Sequence, residues 1–302
     1  MKEIARELKK ARVEDVRMDE SLSKHTTWKV GGPADILIYP HSKEELERTM
    51  AVIRQYEIPW RIIGRGSNLL VRDGGVRGAV IKIGSGLDHM QVKGDRVIVG
   101  GGYSFVRLSV IVSRQGLAGL EFAGGIPGTV GGAVFMNAGA HGSETCEVLE
   151  SAEVLSEDGK WLRLTNEELQ FSYRTSILQS QLRGVVTEAT FQLKKGDAKQ
   201  VSEAMLRYKQ RRMETQPLQH PCAGSVFRNP SGNHSGHLIE SAGLKGFRIG
   251  GAEVSTQHAN FIINRGDATA NDVLTLIHHI IRTIDEKYGI TLQPEVQVVG
   301  EG

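Results

Sequence analysis

The stretch PCAGSVFRNP, residues 221–230, sets one serine, Ser225, on a small-residue backbone with Arg228 and Asn229 just after it. A serine hydroxyl can act as nucleophile, proton donor, helix cap or turn residue. Its flanks, Ala223-Gly224 and Val226-Phe227, do not form the G-x-S-x-G of a nucleophile elbow. His220, His234, His237 and His258 stand at no spacing that makes one of them the base of a triad. By residue type alone Ser225 fits a turn hydroxyl better than a catalyst. Two other charged residues could do chemistry. Arg174 in FSYRTS follows a short helix that Thr165 would cap, and Glu295 in QPEVQV falls in a strand, opposite Val296 and Val298. Their plain readings are a surface charge and a wet strand face. His278 and His279 are adjacent, whereas metal ligands on one helix face stand three or four residues apart. Cys146 and Cys222 lie in unrelated contexts and read as reduced thiols, so no metal site is expected.

Glycine is the compositional outlier: 36 of 302 residues, about 12% where ~7% is usual. Glycines allow positive φ and close approach of backbone to a ligand, here suggesting a large phosphate-bearing one. GRGSNLL, residues 64–70, can aim several N–H groups at a phosphate, or be a plain turn. It is neither a Walker A loop nor a complete G-x-G-x-x-G, since Leu69 stands where the third glycine belongs. In GGIPGTVGGAVFMNAGAHG, residues 124–142, Pro127 suits the first position of a helix, and Gly128, Gly131 and Gly132 leave one side bare. Close helix–sheet packing is the competing explanation.

These segments need a scaffold. The charge balance, 37 basic against 35 acidic residues for a net +2, gives no general attraction to nucleic acid. No run reaches the ~18 apolar residues of a membrane span, and the N-terminus lacks a signal-peptide core; the two thiols, read as reduced, suggest a cytoplasmic protein. Ser42 with Glu45 reads as a capping box before a helix. PWRII, GAVIKIG, RVIVGGG and GVVTEATFQL read as strands, with GRGSNLLVRDGG as loop. EVLSEDGKWLRL reads as a hairpin turning at Asp158-Gly159. Helices are expected over 104–115, 201–216 and 271–288, the last with the stripe Val273, Leu274, Ile277, Ile281 and Ile284 and a stop at Gly289. This pattern divides the chain into 1–83, 84–196 and 197–302.

Read in order, HTTWKVGGPAD, GRGSNLLVRD, LEFAGGIPGTVGGAVFMNAGAHG, FSYRTS, CAGSVFRNP, AGLKGFRIGGAEVS, HANFIIN and the terminal PEV resemble the UDP-N-acetylenolpyruvoylglucosamine reductase family over about residues 20–299. The resemblance implies an α+β chain: a two-domain FAD-binding fold of the vanillyl-alcohol-oxidase (PCMH) type, residues 1–83 and 84–196, plus a third α+β substrate-binding domain, 197–302. It implies non-covalent FAD, so His25 and His141 need not be attachment sites. FAD would be held by Gly64, Arg65, Gly66, Ser67, Asn68 and Leu69, and by Gly125, Ile126, Pro127, Gly128, Thr129, Gly132, Ala133, Asn137 and Gly139.

The implied reaction reduces the enolpyruvyl ether of UDP-N-acetyl-3-O-(1-carboxyvinyl)-glucosamine to UDP-N-acetylmuramate, for peptidoglycan synthesis in a bacterial cytoplasm. NADPH reduces the flavin, flavin N5 gives hydride to the vinyl carbon, and charge builds on the α-carbon and its carboxylate. The family's proton donor matches Ser225; its arginine and glutamate match Arg174 and Glu295. Substrate contacts would come from Tyr173, Gln216, Arg228 and Asn229. Only TSILQSQLRG separates Arg174 from the next strand, which suggests the shorter subclass without a tyrosine-loop insertion. Two alternatives are an FAD-dependent sugar or lactone oxidase of the same fold and a non-catalytic sugar-nucleotide-binding module.

Overall fold

Ile4 and Leu8, one helical turn apart, are the buried residues of an otherwise charged N-terminal segment, and they make α1 (Lys2–Lys10) amphipathic. The computed structural model describes residues 1–302 and divides the chain into two compact units. The first comprises residues 1–18, 36–65 and 78–212; the second comprises 19–35, 66–77 and 213–302.

In the first unit α2 (Lys43–Gln55) starts at Ser42, whose Oγ accepts the Glu45 N–H at 3.1 Å. The expected capping box is half-formed. Glu45 turns its carboxylate to the N–H groups of His41 and Glu14, both at 2.7 Å, and so ties the helix start to two preceding stretches of chain. A four-stranded sheet runs in the order Asp15–Ser21, Pro33–Tyr39, Val76–Lys82, Trp60–Ile63, and the unit division falls within its first three strands. A five-stranded antiparallel sheet follows, ordered Trp161–Thr165, Leu149–Ser156, Gly184–Gln192, Arg96–Gly100, Met90–Lys93. Phe105, Leu108, Val130 and Val134, from α3 (Phe105–Arg114) and α4 (Val130–Met136), form one core with Val97, Val154 and Phe191 of that sheet. The long α5 (Ala198–Thr215) adds Val201 and Met205 to the buried residues of the unit.

The expected hairpin forms: Ser156 N–H donates to Lys160 O at 2.9 Å, and Gly159 takes φ +82°. The expected helix after Thr165 does not. Residues 166–170 make a single turn in which Thr165 and Glu168 cap each other, and it ends where Gln170 enters the left-handed region at φ +46°.

The second unit contains α6 (Ser235–Ser241), α7 (Ala270–Tyr288) and a three-stranded antiparallel sheet, Arg248–Ile249, Ala252–Val254 and Ile262–Asn264. The loop expected over GRGSNLLVRDGG contains a strand, Leu69–Val71, paired in parallel with Gln297–Val299. Its partner lies at the far end of the chain, so no local signal marks it. Thr269 and Asp272 form a capping box on α7, and Gly289 stops the helix at φ +64°. Asp73 adds a second carboxylate there, accepting the N–H groups of Ala270 at 2.8 Å and Asn271 at 2.9 Å. The buried stripe is Ala270, Val273, Leu276, Ile277, Ile280 and Ile284; the expected Leu274 and Ile281 are only partly buried, so the apolar face is turned relative to the sequence reading. Trp28 is buried in the same core, its indole N–H donating to Ile262 O at 2.7 Å.

Glu253 is a carboxylate at 2% exposure in this unit. Burial alone would raise its pKa, but hydrogen bonds from Arg265 and Arg248 outweigh that and hold it below the usual range. A depressed folded pKa adds stability above the unfolded value, lost as pH falls through the folded one. Glu253→Gln should therefore lower unfolding stability at pH 7 by about 1–3 kcal/mol, less than a fully buried pair because both arginines are partly exposed. Its urea-unfolding stability should also fall less steeply than native below about pH 5.

Candidate functional site

Ser225 stands in the second unit, half-buried, between Gly224 at φ +76° and the buried pair Val226-Phe227. Two polypeptide stretches hold it. On one side Asn260 O accepts the Val226 N–H at 2.8 Å, while its side chain clamps Phe227: Oδ1 accepts the Phe227 N–H at 3.0 Å and Nδ2 donates to Phe227 O at 2.9 Å. On the other, Glu295 N–H donates to Val226 O at 2.7 Å, Arg228 N–H donates to Gln293 O at 2.9 Å, and Phe227 bridges Pro294 antiparallel. Ser225 and Glu295 thus lie on adjacent backbone. Glu295 is not in the expected strand; it sits between the Pro294 bridge and the strand that begins at Gln297.

Asn68, expected at the cofactor, also braces this site: its Nδ2 donates to Glu295 O at 3.2 Å and its O accepts the Gln297 N–H at 3.0 Å. Asn229, expected at the substrate, is exposed, and its Oδ1 accepts the Ser235 N–H at 3.1 Å, at the first residue of α6. Arg228 and Gln216 are half-buried in the same unit.

Arg174 belongs to the first unit. Ser172 and Thr175 exchange both backbone hydrogen bonds, at 3.1 and 3.0 Å, so Tyr173 and Arg174 are the corners of a two-residue turn. Arg174 has φ +58°, a left-handed conformation costing a residue with a Cβ roughly 1–2 kcal/mol. Such strain persists where the surroundings hold it and tends to mark working residues. The guanidinium donates from Nη2 to Gly139 O at 2.7 Å, has Nη1 3.6 Å from Glu144 Oε1, and lies 4.8 Å over the exposed Tyr173 ring.

Pro127 is not the first residue of a helix. Gly128, at φ +152°, cannot be helical, so α4 begins at Val130 with Thr129 as its cap, Oγ1 accepting the Gly132 N–H at 3.3 Å. Several glycines prove to be demanded by their neighbours. A Cβ on Gly64 would stand 2.5 Å from Thr129 Oγ1, one on Gly125 2.5 Å from Arg212 Cδ, one on Gly139 2.5 Å from Ser143 O, and one on Gly66 would overlap His25 O. Gly132 differs. It is exposed, and a Cβ there would have only Thr129 Oγ1 nearby, at 3.5 Å, leaving bare backbone at the start of α4. Lys82 has its pKa lowered, first by burial and then by Arg17 and Arg65, which places positive charge close to the Gly64-Arg65 segment of the same unit. Open backbone and clustered cations fit a phosphate-bearing group such as FAD. Ile126 and Ala133 lie in the same segment, while Asn137 is fully buried and commits its amide within the unit. Gly64 and Arg65 fall in the first unit; Gly66, Ser67, Asn68 and Leu69 fall in the second.

Two residues that shape the site carry no assignment from sequence reasoning. Asn260 offered a signal, an amide inside the apolar run HANFIIN, which must find partners if buried. Glu144 offered none. Removing the Asn260 amide would leave both Phe227 polar groups unpaired in the core. Asn260→Ala should cost about 2–4 kcal/mol of unfolding stability, read by urea titration, and Asn260→Asp should cost a similar amount because its new oxygen faces Phe227 O.

Comparison with known proteins bears on the whole chain. A model of the "FAD binding domain" matches residues 34–165, and one of the "UDP-N-acetylenolpyruvoylglucosamine reductase, C-terminal domain" matches residues 216–299. The UDP-N-acetylenolpyruvoylglucosamine reductase of Anoxybacillus flavithermus is 55% identical over 300 residues, covering 99% of each chain. That of Bacillus subtilis is 54% identical with the same coverage. The crystal structure of the reductase (MurB) from Thermus caldophilus superposes with a TM-score of 0.80 at 38% identity, over 94% of this chain and 98% of that one. A berberine bridge enzyme variant, 15% identical with a TM-score of 0.51 over 65% of this chain and 44% of its own, shares the FAD-binding fold alone. No helix is long and apolar enough to cross a membrane. With near-complete coverage and the fold expected from the motifs, the chain belongs to the UDP-N-acetylenolpyruvoylglucosamine reductase family.

Proposed function

We propose that this chain reduces UDP-N-acetyl-3-O-(1-carboxyvinyl)-glucosamine to UDP-N-acetylmuramate, with NADPH as the electron source, in a bacterial cytoplasm. Family membership supports the substrate and the FAD. The observation that supports the residue assignment is the Glu295-to-Val226 backbone hydrogen bond, which pairs the backbone of Glu295 with the residue next to Ser225.

When bound, FAD supplies a two-electron relay between NADPH and the vinyl carbon. The residues to hold it are Gly64–Leu69 with Gly125–Gly139, the first match falling across 1–83 and 84–196, while 197–302 binds the sugar nucleotide. Reduction at the vinyl carbon leaves negative charge on the α-carbon and its carboxylate. Ser225 Oγ–H donates a proton to that carbon as a general acid. Arg174 pairs with the substrate carboxylate, its planar fork matching the two oxygens. Glu295 serves beside a carboxylate only while it carries a proton, and then donates a hydrogen bond to the developing charge. Charge placed in advance where the enolate forms lowers the barrier without reorganisation. Tyr173, Gln216 and Arg228 bind the rest of the substrate. The short stretch after Arg174, with only a 3-10 turn at Ile177–Gln179 before the strand at Gly184, supports membership of the subclass without the tyrosine loop.

Ser225→Ala should leave reduction of the flavin by NADPH near native and slow its reoxidation by the enolpyruvyl substrate by about a hundredfold or more, in anaerobic stopped-flow spectroscopy. Native reoxidation in this variant would remove Ser225 from the chemistry.

A further inference from the structure

Arg174 is held by a network within its own unit. Asn137 closes α4 in a left-handed conformation, φ 44° and ψ 56°, and is 0% exposed. Its Oδ1 accepts the Cys146 N–H at 3.0 Å. That bond fixes the amide's orientation, since a backbone N–H can only donate. The Nδ2 must therefore face the other way, where it donates to Ser172 O at 3.0 Å and to Glu144 Oε2 at 2.7 Å. The second oxygen of Glu144 lies 3.6 Å from Arg174 Nη1. Ser172 is the residue that opens the Tyr173-Arg174 turn. One buried amide thus locates both the backbone of that turn and the carboxylate facing its guanidinium.

We propose that Glu144 is a positioning residue: anchored by Asn137, it sets the direction of the Arg174 fork toward the substrate carboxylate. The proposal rests on the assignment of Arg174 above. At 3.6 Å the contact is longer than the usual 2.7–2.9 Å of a charge-assisted hydrogen bond. Glu144 therefore orients the guanidinium by attraction while Gly139 O takes its hydrogen bond at 2.7 Å. Gly139 must be small for this, since a Cβ there would stand 3.1 Å from Nη1.

The chemistry of substitution follows. In Glu144→Gln the side chain keeps its shape and loses its charge. If its oxygen meets Asn137, its N–H groups face the guanidinium; if it flips, two amide N–H groups face each other. Either way one contact sets donor against donor. Glu144→Asp keeps the charge on a shorter arm that can reach only one of its two partners.

The test is a double-mutant cycle on the FAD-loaded enzyme, using NADPH to reduce it and then the enolpyruvyl sugar nucleotide to reoxidise it without oxygen. Glu144→Gln should slow reoxidation at saturating substrate by about tenfold, with Glu144→Asp in between and flavin reduction within about twofold of native. Arg174→Ala should be slower than either, and adding Glu144→Gln to it should change the rate by less than about twofold, because Glu144 acts through Arg174. Substrate affinity for the oxidised enzyme, read from perturbation of the flavin band, should show the same non-additivity. Native-like reoxidation in Glu144→Gln, or costs that multiply in the double variant, would overturn the positioning role. Native-like reoxidation in Arg174→Ala would instead overturn the assignment of Arg174, and the Glu144 role with it. Melting temperature and FAD content check each variant; should Glu144→Gln not fold, Glu144→Asp carries the same cycle.

Discussion

The buried amide of Asn260 is the constraint on which the serine site depends. A buried peptide group must find a hydrogen-bond partner or pay its full desolvation cost. Phe227 has both of its groups satisfied by one side chain, and Val226 has its N–H and O satisfied from opposite sides by Asn260 and Glu295. Every bond that pairs this backbone also fixes where Ser225 stands relative to Glu295. Asn68 extends the arrangement by gripping the Glu295 carbonyl. Core satisfaction and site geometry are the same set of bonds, so the serine is held without a bond to its own hydroxyl being required.

Arg174 shows the complementary device. Its left-handed φ is unfavourable in isolation, and it is kept because Ser172 and Thr175 close the turn while Gly139 and Glu144 receive the side chain. The turn stores strain locally, and that strain persists because the surroundings over-determine it. The same logic explains part of the glycine excess. At Gly64, Gly66, Gly125 and Gly139 the small residue lets one piece of protein approach another, and at Gly132 it leaves backbone uncovered.

Much of this was legible in the residues and part was not. Periodicity and punctuation located α2, α3 and α7, the Asp158-Gly159 hairpin and the Gly289 stop, because those signals are local. The strand at Leu69–Val71, the position of Glu295 outside a strand and the Asn137–Glu144 link were hidden, because each depends on a partner brought in by the tertiary fold. Pro127 misled because a helix start was inferred from proline while the glycine after it blocks the helix. Ser225, Arg174 and Glu295, taken singly, looked like a turn hydroxyl, a surface charge and a wet strand face. The roles proposed for them come from the resemblance; the fold pairs the backbone of Glu295 with Val226, next to Ser225, and puts Arg174 in a left-handed turn.

In the proposed function, electrons pass from NADPH through FAD to the enolpyruvyl ether. An anaerobic spectral titration of the purified protein tests it most directly. NADPH should bleach the flavin band, and the enolpyruvyl sugar nucleotide should then restore it without oxygen. A bleached band that returns only when oxygen is admitted would contradict the account and point to an oxidase. No flavin band at all, even after FAD is supplied, would contradict it further, leaving the Gly64 and Gly132 segments with a structural role alone.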